Sequence, residues 1–319
     1  MVTYVIRRFV IGILVLVLVS LIVFFSLRLL PGDPALIYVA SQVGGTGVTQ
    51  EKLDEIRVEF GLDKPVPVQY LNWVKGVISG DLGKSVKNNK PVTALLGERF
   101  QPTLVIGLVS LVLSTVLGIF FGLVAAIRRG SWIDTLVTLL SYVGIVVPAF
   151  MLAFVLLYLF GLKLNWLPMV GWTPPWEDFG MSVKQSIMPV IVLATVPLAI
   201  TARQMRSSVL EVNNMDFIRT AWSKGLRERV IVFRHISKNS LIPVITLMGI
   251  GVGLIFGGAV IEETIFSIPG MGRLMVSSIF DRDYVVIQSM TMIIAAIIVF
   301  ANIVVDISYG WLDPRIRYG

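Results

Sequence analysis

Cysteine is absent from these 319 residues, and histidine occurs once, at His235. The first absence excludes disulfides and thiolate metal sites and leaves the redox compartment open. The second argues against a multi-histidine metal centre within the chain. Charge is scarce as well: Asp, Glu, Lys and Arg make up 15% of residues and apolar ones 55%, against about 25% and about 45–50% in soluble domains. By length alone about two soluble domains would be expected. So little charge beside so much apolar side chain instead calls for lipid as the solvent. There is no soluble domain and no internal repeat in the pattern.

A membrane-crossing helix needs about 20 mostly apolar residues. Reading between charged residues yields six such windows: 9–27, 100–127, 135–162, 185–202, 239–261 and 284–305. The fourth is the shortest and is expected to run on to residue 209, through Arg203 and Arg206, whose long stems can snorkel. The first is expected to reach residue 29. None has an ionisable residue at its centre. Arg7 and Arg8 before the first run resemble the start of a secretory signal. However, its 19 uncharged residues exceed the usual 7–15 of a signal core, and no small-x-small cleavage site precedes Arg28. It reads as a retained anchor. The expected fold is an all-α membrane protein, residues 1–319 forming one transmembrane domain of six helices.

Lysine and arginine in short loops set orientation. With the N-terminus inside, the cytoplasmic side holds Arg7, Arg8, Arg128, Arg129, eight basic residues between Arg203 and Lys238, Arg315 and Arg317. The opposite short loops hold Lys163, Lys184, Arg273 and Arg282 against six acidic residues. Both termini are therefore expected in the cytoplasm, and the net charge of +7 is a positive-inside signature rather than a nucleic-acid footprint. External basic and acidic residues nearly balance, at thirteen and fourteen, so bulk charge does not point to a cargo.

The external loop 30–99 is too long for a plain connector. Thr49 can cap a helix over 49–60 with Leu53, Ile56 and Phe60 at helical spacing, ended by Pro65 and Pro67. Tyr70, Trp73, Val74 and Val77 then suggest an amphipathic piece on the membrane surface. Small residues recur every fourth position in the second window (Ser110, Ser114, Gly118, Gly122, Ala126) and the fifth (Gly249, Gly253, Gly257). That spacing lets a neighbouring helix approach closely, as static packing rather than a sliding face. Gly249, Gly251 and Gly253 echo a dinucleotide fingerprint, but no strand precedes them. GDLGKS at 80–85 ends like a phosphate-binding loop, but Ile78 stands where the first glycine belongs, so the chain carries no ATPase motif. Glu262 and Glu263 are adjacent and do not face each other on a helix. They read as a water-exposed helix end, and so does Asp306.

The cytoplasmic loop 207–238 is more informative. NMDFIRTAWSK at 214–224 is helix-like, with Phe217, Ala221 and Trp222 on one face. Gly225 stops it, and Val230, Phe233 and Ile236 begin a second pattern. On residues alone this is either a docking element or merely a basic loop.

The stretch 200–245 closely resembles the coupling region of permease subunits from the dipeptide/oligopeptide/nickel branch of ABC importers. The likeness extends to PGDPA at 31–35, GDLGKSV at 80–86, ETIFSIPGMGRL at 263–274 and LDPRIRY at 312–318. The PGDPA start, long first external loop and DPR tail resemble the first, B-type permease. In the general coupling pattern Ala221 and Gly225 match. Arg219 takes the glutamate position, His235 the isoleucine position, and Pro243 comes five residues late, as in the peptide branch. His235 reads as structural rather than proton-coupling, since ATP would supply the energy.

The resemblance implies a type I ABC importer permease fold in a bacterial or archaeal inner membrane. It also implies a heterodimer with a second homologous permease, two cytoplasmic ATPases and an external substrate-binding protein. ATP and Mg would be bound by the ATPases, with no cofactor, catalysis or nucleic acid at this chain. Carried over by position, Asp216, Arg219, Thr220, Ala221, Lys224, Gly225 and Leu226 would couple to an ATPase. Glu263, Phe266, Pro269 and Gly270 would form part of an outer gate, a partly buried turn, because Pro269, Gly270 and Gly272 break a helix among apolar residues. The cargo would be di- or oligopeptides. A secondary transporter is the alternative, disfavoured because its kind often buries charge within spans.

Overall fold

The computed structural model describes residues 2–29, 49–59 and 62–312, nearly all in helices and turns, with an isolated antiparallel bridge between Lys84 and Pro91. PGDPA and all of LDPRIRY after Leu312 lie outside the described residues. Lipid offers backbone groups no hydrogen-bond partner, so each apolar run closes its amides internally as a helix. Among the described residues four helices are long and apolar enough to cross a membrane, or six if each of two bent pairs is one span. The chain divides into two compact units, Met1–Arg8, Pro102–Pro269 and Ala301–Gly319 in one, Phe9–Gln101 and Gly270–Phe300 in the other.

The helices, in chain order, are α1 (Val2–Arg28), α2 (Gln50–Glu59), α3 (Val66–Ser79), α4 (Val92–Ile127), α5 (Trp132–Val146), α6 (Ala149–Lys163), α7 (Phe179–Asn213), α8 (Asp216–Ser223), α9 (Glu228–Ser240), α10 (Ile242–Ile265), α11 (Met271–Phe280) and α12 (Tyr284–Leu312).

In the first unit, the window 135–162 is not one straight helix: α5 and α6 meet at 103°. Pro148 causes the break. It lacks an amide hydrogen and drives the preceding Val147 to an extended ψ of 122°. Pro189 and Pro197, by contrast, lie inside α7 without ending it. Asp178 starts α7 by accepting from the Met181 amide at 2.9 Å. The helix passes Arg203 and Arg206 as expected, but Arg206 does not snorkel. It forms a two-pronged ion pair with Asp134 on α5, at 2.6 and 2.9 Å.

The small face of α4 is a packing face against α7. A Cβ on Gly118 would stand 2.7 Å from Thr201, and one on Gly122 2.4 Å from the Ala202 carbonyl oxygen. Glycines of α10 meet different partners. Gly249 faces Asn302 and Val305 of α12, Gly251 faces Leu111, and Gly257 has no such neighbour within 4 Å among the described residues. Asp306 is not a bare helix end: Arg8 reaches its carboxylate at 3.2 Å, and Tyr4 donates to its carbonyl at 3.3 Å.

In the second unit, Pro65 caps the start of α3 and Pro67 sits in its first turn. Neither ends α2, because fixed φ and a missing N–H suit a helix start. Tyr70 and Trp73 of α3 pack on Phe24 of α1, with ring centroids 5.2 and 5.7 Å away, and Tyr70 and Ser20 hydroxyls lie 2.8 Å apart. GDLGKS forms a tight docked turn. Gly80 and Gly83 both adopt φ of +81°, Asp81 accepts from the Gly83 amide, and buried Ser85 donates to Asp283 at 2.5 Å. These residues hold the loop rather than a phosphate.

Candidate functional site

The coupling candidates lie together on and just after α8. Asp216 begins the helix, and Arg219 pairs with it across one turn at 3.5 Å. Both are exposed, so the pair contributes little to stability. Thr220, Lys224 and Gly225 are exposed, and Leu226 is 37% exposed. Ala221 alone of the seven is buried.

The buried side of α8 differs from the expected face. Ile218 and Ala221, one turn apart, point into a cluster with Ala126, Met205, Val209, Val212, Ile231 and Val244. Phe217 and Trp222 instead stand out at 42% and 48% exposure. A helix this short puts Phe217 and Ile218 about 100° apart, so both look apolar-facing in sequence and packing selects Ile218. Ile218 was missed, although its spacing of three from Ala221 was a readable signal.

Gly225 terminates α8 with φ of +72°. Its amide donates to Trp222 at 2.9 Å and the Leu226 amide to Ala221 at 3.4 Å, the paired bonds of a left-handed glycine cap. An added Cβ would meet nothing within 4 Å among the described residues, so glycine is needed there for backbone conformation. The chain then enters α9, whose residues Ile231–Ile236 form π-helical turns, a form often found at functional sites. His235 is half-buried, and its carbonyl accepts from Asn239 at 2.6 Å.

The gate candidates sit where α10 ends. Glu262 and Glu263 are each only 2% exposed, which corrects their reading as a water-exposed helix end. The chain folds back over them, and Thr103 donates to the Glu263 carboxylate. The helix ends at Ile265, Ser267 takes φ of +54°, and the Ile268 amide closes on Glu263 at 2.8 Å. The break therefore precedes Pro269 and Gly270, and Gly272 lies inside α11 rather than breaking a helix. Phe266 and Ile268 are buried among Ile106, Met188 and Leu193. Phe266 also accepts from the Gly171 amide at 3.0 Å. Pro269 is half-buried and Gly270 buried. Among the described residues no group of His, Asp or Glu is arranged to hold a metal ion.

A family model described as "Binding-protein-dependent transport system inner membrane component" matches residues 118–318, and the corresponding N-terminal model matches residues 1–107. The chain is 38% identical to "Probable peptide ABC transporter permease protein y4tP" of Sinorhizobium fredii over 315 residues, 99% of each chain. It is 35% identical to a dipeptide transport system permease protein of Alkalihalophilus pseudofirmus, over the full length of both.

Proposed function

Because this chain belongs to the binding-protein-dependent transport system inner membrane components, we propose that α8 and its Gly225 cap are where an ATPase partner seats and drives the spans. As a family member the chain is a multi-pass inner-membrane permease, a non-catalytic subunit of an ABC system that works with ATPase and binding-protein partners. The family carries no cofactor, and ATP is bound by the ATPases. Membership also removes the secondary-transporter alternative.

The observation that carries the proposal is the two-sided character of α8. One side is anchored by Ile218, fully buried, while Met215, Phe217, Trp222 and Leu226 remain 37–48% exposed. Apolar side chains exposed on a charged cytoplasmic segment mark a protein contact. Closure of the ATPase pair would push α8, and the push would pass through Ile218 and Ala221 into Met205 and Val209 of α7.

The proposal extends to a complex of this permease with a second homologous one, two ATPases and an external binding protein. Both termini lie in the cytoplasm, as the charge asymmetry supports. The peptide and dipeptide permeases among the relatives support di- or oligopeptides as cargo, and the buried turn Glu263–Gly270 is proposed as part of the outer gate. A photo-crosslinking amino acid at Trp222 or Phe217 of the assembled complex tests the seat. Adducts with the ATPase are expected, and their absence at both positions would refute it. Uptake measured with the cognate binding protein tests the cargo.

A further inference from the structure

The second unit contains a cavity of about 580 Å³. Its apolar wall includes Phe24, Trp73, Val86 and Val285, and three arginines, Arg28, Arg57 and Arg282, line it against one carboxylate, Asp81. Arg57 is paired with Asp54 at 3.0 Å, so Arg28 and Arg282 against Asp81 leave a surplus of one positive charge.

Two features mark it as a built site. Gln288 lines the cavity at 9% exposure, and its Nε2 has no hydrogen-bond partner among the described residues. A buried amide donor without an acceptor is costly, so this one calls for an acceptor brought by a ligand. Arg28 is also held in place: its guanidinium lies 3.5 Å over the Phe24 ring and donates to Gln69 Oε1 at 2.6 Å.

The depth of the cavity narrows the ligand class. Arg28 closes the apolar run of α1 and Phe24 lies one turn inside it, with Tyr70 and Trp73 packed on that ring. A basic residue and an aromatic cluster at a span end mark the headgroup level of a bilayer. Guanidinium groups match phosphate oxygens well, and the apolar wall suits an acyl chain. We infer that this cavity binds an anionic phospholipid, one of the outer leaflet if the topology proposed above holds. Arg28 and Arg282 hold the phosphodiester, Gln288 donates to a headgroup or ester oxygen, and a fatty chain lies along Phe24 and Val285. Inorganic phosphate shares the headgroup chemistry but would leave the apolar wall bare.

The test uses the whole complex with its partner subunits, delipidated in detergent and placed in phosphatidylcholine nanodiscs containing a minor share of phosphatidylglycerol. Retained lipid is quantified by mass spectrometry after re-extraction. Wild type is expected to retain phosphatidylglycerol in preference to phosphatidylcholine, and the Arg28→Gln, Arg282→Gln double variant to retain about tenfold less, the loss of a charge-assisted contact. Equal retention by variant and wild type, or equal retention of the two lipids, overturns the inference. Displacement by excess inorganic phosphate would make this a free-anion site and overturn it likewise. If the double variant fails to assemble, wild type still decides. The fluorescence difference between wild type and Trp73→Phe is expected to be quenched more by brominated phosphatidylglycerol than by brominated phosphatidylcholine, and equal quenching refutes the site.

Discussion

Arg206 holds Asp134 with both arms of its guanidinium, Nε to Oδ1 at 2.6 Å and Nη2 to Oδ2 at 2.9 Å. The same carboxylate accepts from the Gly130 amide at 3.0 Å, and the Ser131 hydroxyl accepts from the Asp134 amide at 3.4 Å. The pair thus ties the turn before α5 to the last part of α7, the helix that leads directly into α8. It braces the helix that leads into the proposed ATPase seat.

Removing one partner should be worse than removing both. Asp134 is nearly buried and Arg206 is 29% exposed. Asp134→Ala is therefore expected to cost about 2–4 kcal/mol, at or below the about 3–5 of a fully buried pair. Thermal unfolding of the purified complex would report it. Asp134→Ala combined with Arg206→Leu should be more stable than the sum of the single losses implies. Strict additivity would show that the two side chains do not support each other.

At Gly225 the substitution series should follow backbone conformation and not side-chain size. Asn tolerates positive φ and is expected to keep near wild-type transport, Ala to be intermediate, and Val to be worst, at about 1–3 kcal/mol of strain. The readout is the ratio of transport to ATP hydrolysis in the reconstituted complex, with ATPase co-purification as the assembly control. Wild-type coupling by Gly225→Val would remove this turn from the coupling element.

Close packing of α4 on α7 makes Gly122 intolerant. Gly122→Val would press Cβ against the Ala202 carbonyl and the Met205 side chain, 2.4 and 2.7 Å away, an overpacking cost of about 1–3 kcal/mol. Gly257→Ala, with no neighbour within 4 Å among the described residues, is the matched control and should be neutral. Comparable melting temperatures for the two variants would contradict the packing described.

Accessibility to a membrane-impermeant thiol reagent should separate the two faces of the membrane. Ser223→Cys is expected to label from the cytoplasm, and Asn88→Cys and Ser277→Cys from outside. Ser277 is the exposed choice there, since neighbouring Ser278 is 4% exposed. Phe266→Cys and Ile268→Cys should stay protected, with native side chains 2% and 1% exposed. External labelling at Ser223 would reverse the proposed topology and with it the ATPase seat.

The sequence by itself determined the solvent, the number of apolar runs and the end of α8. Those depend on partition into lipid and on local backbone preference, and both act within a few residues. Gly225 was legible as a stop for that reason. Only the tertiary structure decided what those elements meet. The window 135–162 read as one span, and the 103° between α5 and α6 at Pro148 depends on what the two halves pack against. Arg206 could have snorkelled, yet finds Asp134 72 positions away, and no local signal records a partner so distant. Glu262 and Glu263 read as solvated until the chain folded back over them. On α8 the apolar pattern allowed Phe217 or Ile218 to turn inward. The choice fell to Ile218 because Met205, Val209 and Ile231 form the surface it meets, which left Phe217 and Trp222 outward.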